Sequence, residues 1–292
     1  MRNSKKGVVS KRSENKSKHF ILMGDIIGSS NYEYNELKNL KKSIDAVNKV
    51  YDFISPLTIT LGDEFQGIVR SLQQGIKAIF KIEELLIKAD YPFELRYSLG
   101  FGEIITPVNS EIAHGMYGQG LTKTRSILEG SKKNKRRRFD IWLPNEKFNE
   151  VLSDSLFVYQ SFLDNWNKKD LEVVSKFYES RDYKEVAKLL NKRSDQIWKR
   201  EKNLRIREYF EIQNVILNLS GFYSMLYDKN EKSRKIISEL ISNIVFESLN
   251  NEYENVLKNN KITKRKIQNT LSSKKIVSEI FDQIGNIVNL IH

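Results

Sequence analysis

Apolar segments arrive in this chain in a strict order: strand, helix, strand, strand, helix, strand as far as Ile105, and helices alone beyond Asn145. His19 to Ile27 is an apolar run that ends in glycine and aspartate, as a buried strand entering a loop does. Glu33 to Tyr51 carries helical spacing through Leu37, Leu40, Ile44, Val47 and Val50. Pro56 to Leu61 alternates as a strand, Gly62-Asp63 makes a tight turn, and Phe65 to Arg70 returns. Leu72 to Ala89 is helical, and Phe93 to Ile105 is strand, interrupted at Gly100 and Gly102. A further helix near Gly120 to Glu129 and a strand at Phe139 to Trp142 close the segment.

This βαββαβ order predicts an α+β fold with a ferredoxin-like core, in which the end of the first strand lies beside the hairpin turn. An all-α part follows. The expected divisions are a mobile basic tail over 1–18, the α/β domain over 19–144, a helix-turn-helix region over 145–211 and a helical region over 212–292. Cysteine is absent, which excludes disulfides and thiolate metal sites. The tail lacks a hydrophobic signal core and no apolar run reaches membrane-spanning length, so a cytoplasmic protein is expected. The formal charge of +12 favours polyanionic partners.

Two motifs carry chemistry: Gly24-Asp25-Ile26-Ile27-Gly28-Ser29-Ser30 and Leu61-Gly62-Asp63-Glu64-Phe65-Gln66-Gly67. Each sets a carboxylate at the end of an apolar strand, where it is costly unless a cation or donors satisfy it. Mg²⁺ binds one or two carboxylates together with substrate phosphates, which makes Asp25 and Asp63 the candidate metal ligands. Gly24, Gly28, Ser29 and Gly62 are the candidate nucleotide-binding positions, because a backbone without side chains lets phosphates approach. Glu64 alternates in direction with Asp63 and is held in reserve. The run Ser131 to Arg138 holds six basic residues and no acid, and reads as a loop extended into water and free to meet phosphates. His114 stands in the glycine-rich loop Ala113 to Gly120.

Asp25-Ile26-Ile27-Gly28 resembles the first metal-binding motif of class III nucleotidyl cyclases, and Gly62-Asp63 resembles their second. Gly62-Asp63-Glu64-Phe65 is also similar to the diguanylate cyclase signature, on a related palm-like fold. Both motifs, the strand Leu95 to Glu103 and a helix-turn-helix together resemble the SatD family over residues 19–206. The cyclase resemblance implies Mg²⁺ on Asp25 and Asp63 and a nucleotide ligand. It also implies a base-reading lysine before the hairpin, where Ile59, Thr60 and Leu61 stand. With Gly118 aligned, the cyclase asparagine and arginine fall on Thr122 and Ser126. Lys123 and Arg125 stand beside those positions and are the candidates for stabilising phosphate charge.

In the helical part, Asp182 followed by Glu185 resembles a capping box, Asn191 suits a left-handed turn, and Ser194 is expected to cap a third helix. Val186, Ala187, Leu190 and Ile197 give helix-turn-helix spacing. The recognition set is then Arg193, Ser194, Gln196, Lys199 and Arg200. The apolar stripes beyond Ile212 serve either a core or a homodimer interface suited to two DNA half-sites.

The leading expectation is a DNA-binding regulator whose cyclase-like domain binds a nucleotide with Mg²⁺ and turns it over slowly or not at all. A divergent nucleotidyl cyclase or signal-nucleotide synthase is the alternative, and a non-catalytic interaction protein is the third.

Overall fold

The computed structural model describes residues 17–60, 62–89, 91, 93–133 and 137–227. Most of the basic tail and the apolar stripes from Ile236 onward lie outside the described residues. One compact unit runs to Gly221 and a second begins at Phe222.

Five strands form one sheet: β1 (Ser17–Ile26), β2 (Ser55–Ile59), β3 (Glu64–Val69), β4 (Leu95–Ile104) and β5 (Phe139–Trp142), in the order β2-β3-β1-β4-β5. β1 is antiparallel to both β3 and β4, and β5 joins β4 in parallel. That is the ferredoxin-like arrangement with one strand added. Helices α1 (Tyr34–Val50), α2 (Leu72–Ala89) and α3 (Gln119–Lys133) complete the α/β part.

Alternation along β1 sends Ile21 and Met23 to one face, where they pack with Leu121 and Leu128 of α3. Leu22 goes to the opposite face with its register partner Leu99, which abuts Gly75 of α2. Fully burying each such side chain stabilises the fold by about 1.5–3 kcal/mol. Asp25 continues the Ile21–Met23 series, so its carboxylate lies on the α3 face.

β4 runs unbroken through Gly100 and Gly102, where the sequence suggested interruptions. The glycines are there for close approach. A Cβ at Gly102 would stand 2.5 Å from Gly120 Cα, and one at Gly100 would stand 2.0 Å from Trp142 Nε1. Bare backbone at these points lets α3 settle directly on the sheet.

Helices α4 (Glu146–Asn165), α5 (Lys168–Phe177), α6 (Tyr183–Leu189), α7 (Ser194–Asn203) and α8 (Ile206–Tyr227) follow. Asn145 caps α4 by accepting from the Phe148 N–H at 2.9 Å. α4 packs on β5 and α5 packs on α2. Tyr159 of α4 reaches Phe80 and Phe139, with ring centroids 4.7 and 5.3 Å away. Asn191 has φ 50°, the left-handed turn expected between α6 and α7. Arg193, and not Ser194, occupies the cap of α7. It makes no side-chain capping bond, because a guanidinium has no acceptor to offer the first N–H groups; it donates instead to Asp195 at 3.0 and 2.9 Å. No described helix is long and apolar enough to cross a membrane.

Candidate functional site

Register fixes the heart of the site. Asp25 lies opposite Glu64 of β3 on one side and Arg96 of β4 on the other. α3 crosses this face, and Arg125 and Lys132, seven residues apart on one side of that helix, descend onto the carboxylates. Lys132 Nζ stands 3.1 Å from Asp25 Oδ2 and 3.1 Å from Glu64 Oε1. Arg125 NH1 donates to Glu64 Oε2 at 3.1 Å. Arg96 Nε lies 3.7 Å from Asp25 Oδ1. Three cations thus face two carboxylates, a net charge of +1.

Asp25 is only 1% exposed, and its Oδ1 has no hydrogen-bond partner; Arg96 NH1 is likewise buried and unpartnered. Burial lifts the Asp25 carboxyl above its ordinary value, against the opposing pull of the Lys132 hydrogen bond and the Arg96 and Lys132 charges. Burial also acts to lower the Lys132 ammonium, but its hydrogen bonds to Glu64 and Asp25 outweigh this and hold it above the usual lysine range.

Because the folded chain holds the Asp25 proton more tightly than the unfolded chain, this group's contribution to stability is greatest at low pH. That contribution is lost as pH rises from the ordinary value of 3.8 through the raised folded value. Asp25→Asn removes the titration. The variant is expected to match or exceed the parent in stability near neutral pH, and to lose this part of the acid-side gain. Urea unfolding at neutral and mildly acid pH checks both.

Beside the cluster opens a cleft of about 430 Å³, within the range of small-ligand sites. One wall is the loop His114 to Gly118, the other is α3 with Thr122, Arg125, Ser126 and Glu129, and Met23 and Gln66 form the floor. The loop is anchored from behind. Gln66 Nε2 donates to the Ala113 carbonyl, Ala113 N–H donates to Thr58 Oγ1 at 3.1 Å, and a Cβ at Gly118 would collide with Glu103 O at 2.2 Å. Tyr117 is fixed through its backbone: its N–H donates to Thr106 Oγ1 at 3.0 Å, and its carbonyl accepts from Ile105 at 2.8 Å. Its ring is 72% exposed at the rim.

The sequence-derived site residues separate. Asp25 meets Glu64, because β3 begins at Glu64. Asp63 sits half-exposed in the turn, its carbonyl accepting from Ile26 N–H at 3.2 Å. Gly62 (φ 72°) shapes that turn, and Gly28 (φ 67°) starts the short 3₁₀ turn Ser29–Asn31. Gly24 makes room for the Phe65 ring on the opposite face. Arg125 reaches the acidic pair, whereas Lys123 lies over the Trp142 ring at 3.9 Å. On α7, Ser194, Gln196 and Lys199 are exposed, as is Arg193. Arg200 turns inward to pair with buried Asp170. Lys132 was expected only as a member of the solvated basic run, and Arg96 was not anticipated. The seven-residue spacing of Arg125 and Lys132 was the available signal for the first, provided the helix is extended past Glu129.

The basic run is not a solvated loop over its described residues. Ser131–Lys133 complete α3, Lys132 turns onto the carboxylates, Arg137 pairs with Asp154 at 3.0 Å, and Arg138 is buried against Glu83 at 3.0 Å. Lys132, Arg137 and Arg138 each find a specific anion, which overrides the mutual repulsion of the run. Lys135 and Arg136 lie outside the described residues.

The structure pairs Asp25 with Glu64 and not with Asp63, the residue expected to share a Mg²⁺ with it. The position between the paired carboxylates is taken by an ammonium. Among the described residues no group of three or more His, Asp or Glu side chains could hold a metal.

Fold and site together define a mixed α+β protein with an acidic pair and a cationic helix over a five-stranded sheet. The chain belongs to the SatD family, whose sequence profile matches residues 19–220. Among solved structures it is similar to a bacterial light-regulated adenylyl cyclase, with 14% identity and a TM-score of 0.35 over 45% of this chain and 44% of that one. It is also similar to the guanylyl cyclase Cya2, with 15% identity and a TM-score of 0.29 over 40% of this chain and 72% of that one. The match thus spans less than half of the first cyclase's length. No curated protein matches the chain.

Proposed function

We propose that this chain is a nucleotide-binding regulator whose ligand lies in the cleft between the glycine-rich loop and α3. The observation that carries this reading is the convergence of Arg125, Thr122 and Ser126 on one cleft wall, next to a cluster of net charge +1. An arginine fork has five donors, and a single nitrogen of Arg125 given to Glu64 fixes its plane while leaving others for a phosphate. The exposed Tyr117 ring, on anchored backbone, suits stacking on a base.

Binding without turnover is the favoured form. Thr122 and Ser126 stand where the cyclase resemblance puts an asparagine and an arginine, and both carboxylates of the pair are held by cations. Arg125→Ala is expected to remove the nucleotide-dependent rise in melting temperature that the parent shows. A ligand at about 100 times its dissociation constant adds roughly 2.7 kcal/mol, so the rise is easily seen. Release of pyrophosphate from any nucleoside triphosphate would favour the enzyme instead.

A DNA contact through α7 is the second half of the reading. It is favoured by the exposure of Ser194, Gln196 and Lys199 along one helix whose Ile197 is buried. Arg200, tied to Asp170, is assigned no base. Gln196→Ala with Lys199→Ala is expected to weaken DNA retention at least tenfold in a gel shift. An undiminished shift removes DNA from the account.

A further inference from the structure

We infer that Lys132 is the resident cation of the acidic pair: its ammonium stands between Asp25 and Glu64 in the place a divalent metal would take, and the site receives its anion without metal. The distances of 3.1 Å to each carboxylate make one ammonium a bridge between two strands. Asp25 points to a site rather than a surface ion pair: its side chain is 2% exposed, and its second oxygen has no hydrogen-bond partner. Arg125 completes Glu64, and Arg96 faces the free oxygen of Asp25 from β4. A divalent ion entering a cluster already at +1 meets repulsion, unless Lys132 leaves and uncovers both carboxylates. Lysine suits the post, because its ammonium is a compact point charge with three donors on a flexible stem.

The ligand follows from the same charge count. With the Glu129 carboxylate on the cleft wall counted, the three cations are balanced, so a triphosphate brings far more negative charge than the site offsets and is ordinarily carried with a metal. A singly or doubly charged phosphate matches better, which points to a nucleoside monophosphate or a cyclic phosphodiester nucleotide. This ligand assignment rests on the proposed nucleotide cleft. The cation assignment does not.

Manganese titration followed by electron paramagnetic resonance tests the cation directly, on the full-length parent, Lys132→Met, Lys132→Gln and Lys132→Met with Asp25→Asn. Circular dichroism checks that each is folded. The parent is expected to show no manganese site that depends on Asp25. Removing the ammonium is expected to create one, at least tenfold tighter than any binding by the parent and lost again in the double variant. An Asp25-dependent manganese site in the parent overturns the inference, and so does a failure of both Lys132 variants to bind more tightly than the parent.

Nucleotide titrations with EDTA or Mg²⁺ provide the second arm. Binding of a monophosphate or cyclic nucleotide by the parent in EDTA supports the ligand assignment. Binding only of a triphosphate with Mg²⁺ overturns it. Absence of all nucleotide binding counts against the proposed function alone, and the manganese result still decides the role of Lys132.

Discussion

Arg138→Met is expected to lower stability by about 3–5 kcal/mol, the scale for removing one partner of a buried ion pair. Arg138 NH2 donates to both oxygens of Glu83, at 3.1 and 3.0 Å, and Nε donates to the Leu95 carbonyl at 3.0 Å. Tyr97 adds a hydrogen bond to Glu83 Oε1 at 2.8 Å. Both charged side chains are below 10% exposed. Burial already raises the Glu83 pKa against the opposing pull of Arg138 and Tyr97, and loss of the arginine raises it further. Folding of the variant is therefore linked to proton uptake, and its stability should recover as the pH falls. Adding Glu83→Gln should restore part of the loss near neutral pH. Urea unfolding of the two variants measures both effects. An Arg138→Met variant as stable as the parent would mean that Glu83 is not committed to this pair.

Tyr209→Ala is expected to cost about 3–5 kcal/mol, as truncation of a buried aromatic residue does. The ring is fully buried, 5.2 Å from Tyr159 and 4.7 Å from Trp166. Its hydroxyl shares hydrogen bonds with Tyr159 at 3.1 Å and Tyr178 at 2.6 Å, and receives one from Gln213 at 3.2 Å. Since Tyr159 touches Phe80 on α2 and Phe139 on β5, the loss reaches the sheet. The variant should still unfold in one transition, seen alike by far-ultraviolet circular dichroism and tryptophan fluorescence. Two separated transitions would mean that α4–α8 unfold apart from the sheet. Tyr209→Phe keeps the ring contacts but leaves the buried partners of the hydroxyl without it, so its cost should be about 1–3 kcal/mol.

Strand and helix order was legible because periodicity is local: Leu72–Ala89 and Phe139–Trp142 fall where the pattern puts them. Asp25 was legible for the same reason, as the polar end of an apolar run. The choice between Asp63 and Glu64 was not. Alternation says only that they point opposite ways, and which of them faces Asp25 depends on where β3 begins, a property of the turn and the pairing register. Lys132 and Arg138 were hidden for a different reason. A run of like charges reads as solvated, and nothing local reveals that Glu64 and Glu83, far away in sequence, neutralise two of its members. The pairing of Arg200 was hidden in the same way, since its partner Asp170 belongs to another helix.

Calorimetric titration of the parent and of Arg125→Ala with a series of nucleoside mono- and triphosphates and cyclic nucleotides tests the central claim most directly. Saturable binding of at least one nucleotide by the parent, weakened tenfold or more in the variant, is the predicted result. Equal binding by the two proteins would place the ligand outside the α3 cleft, and heat from neither would contradict the nucleotide reading itself.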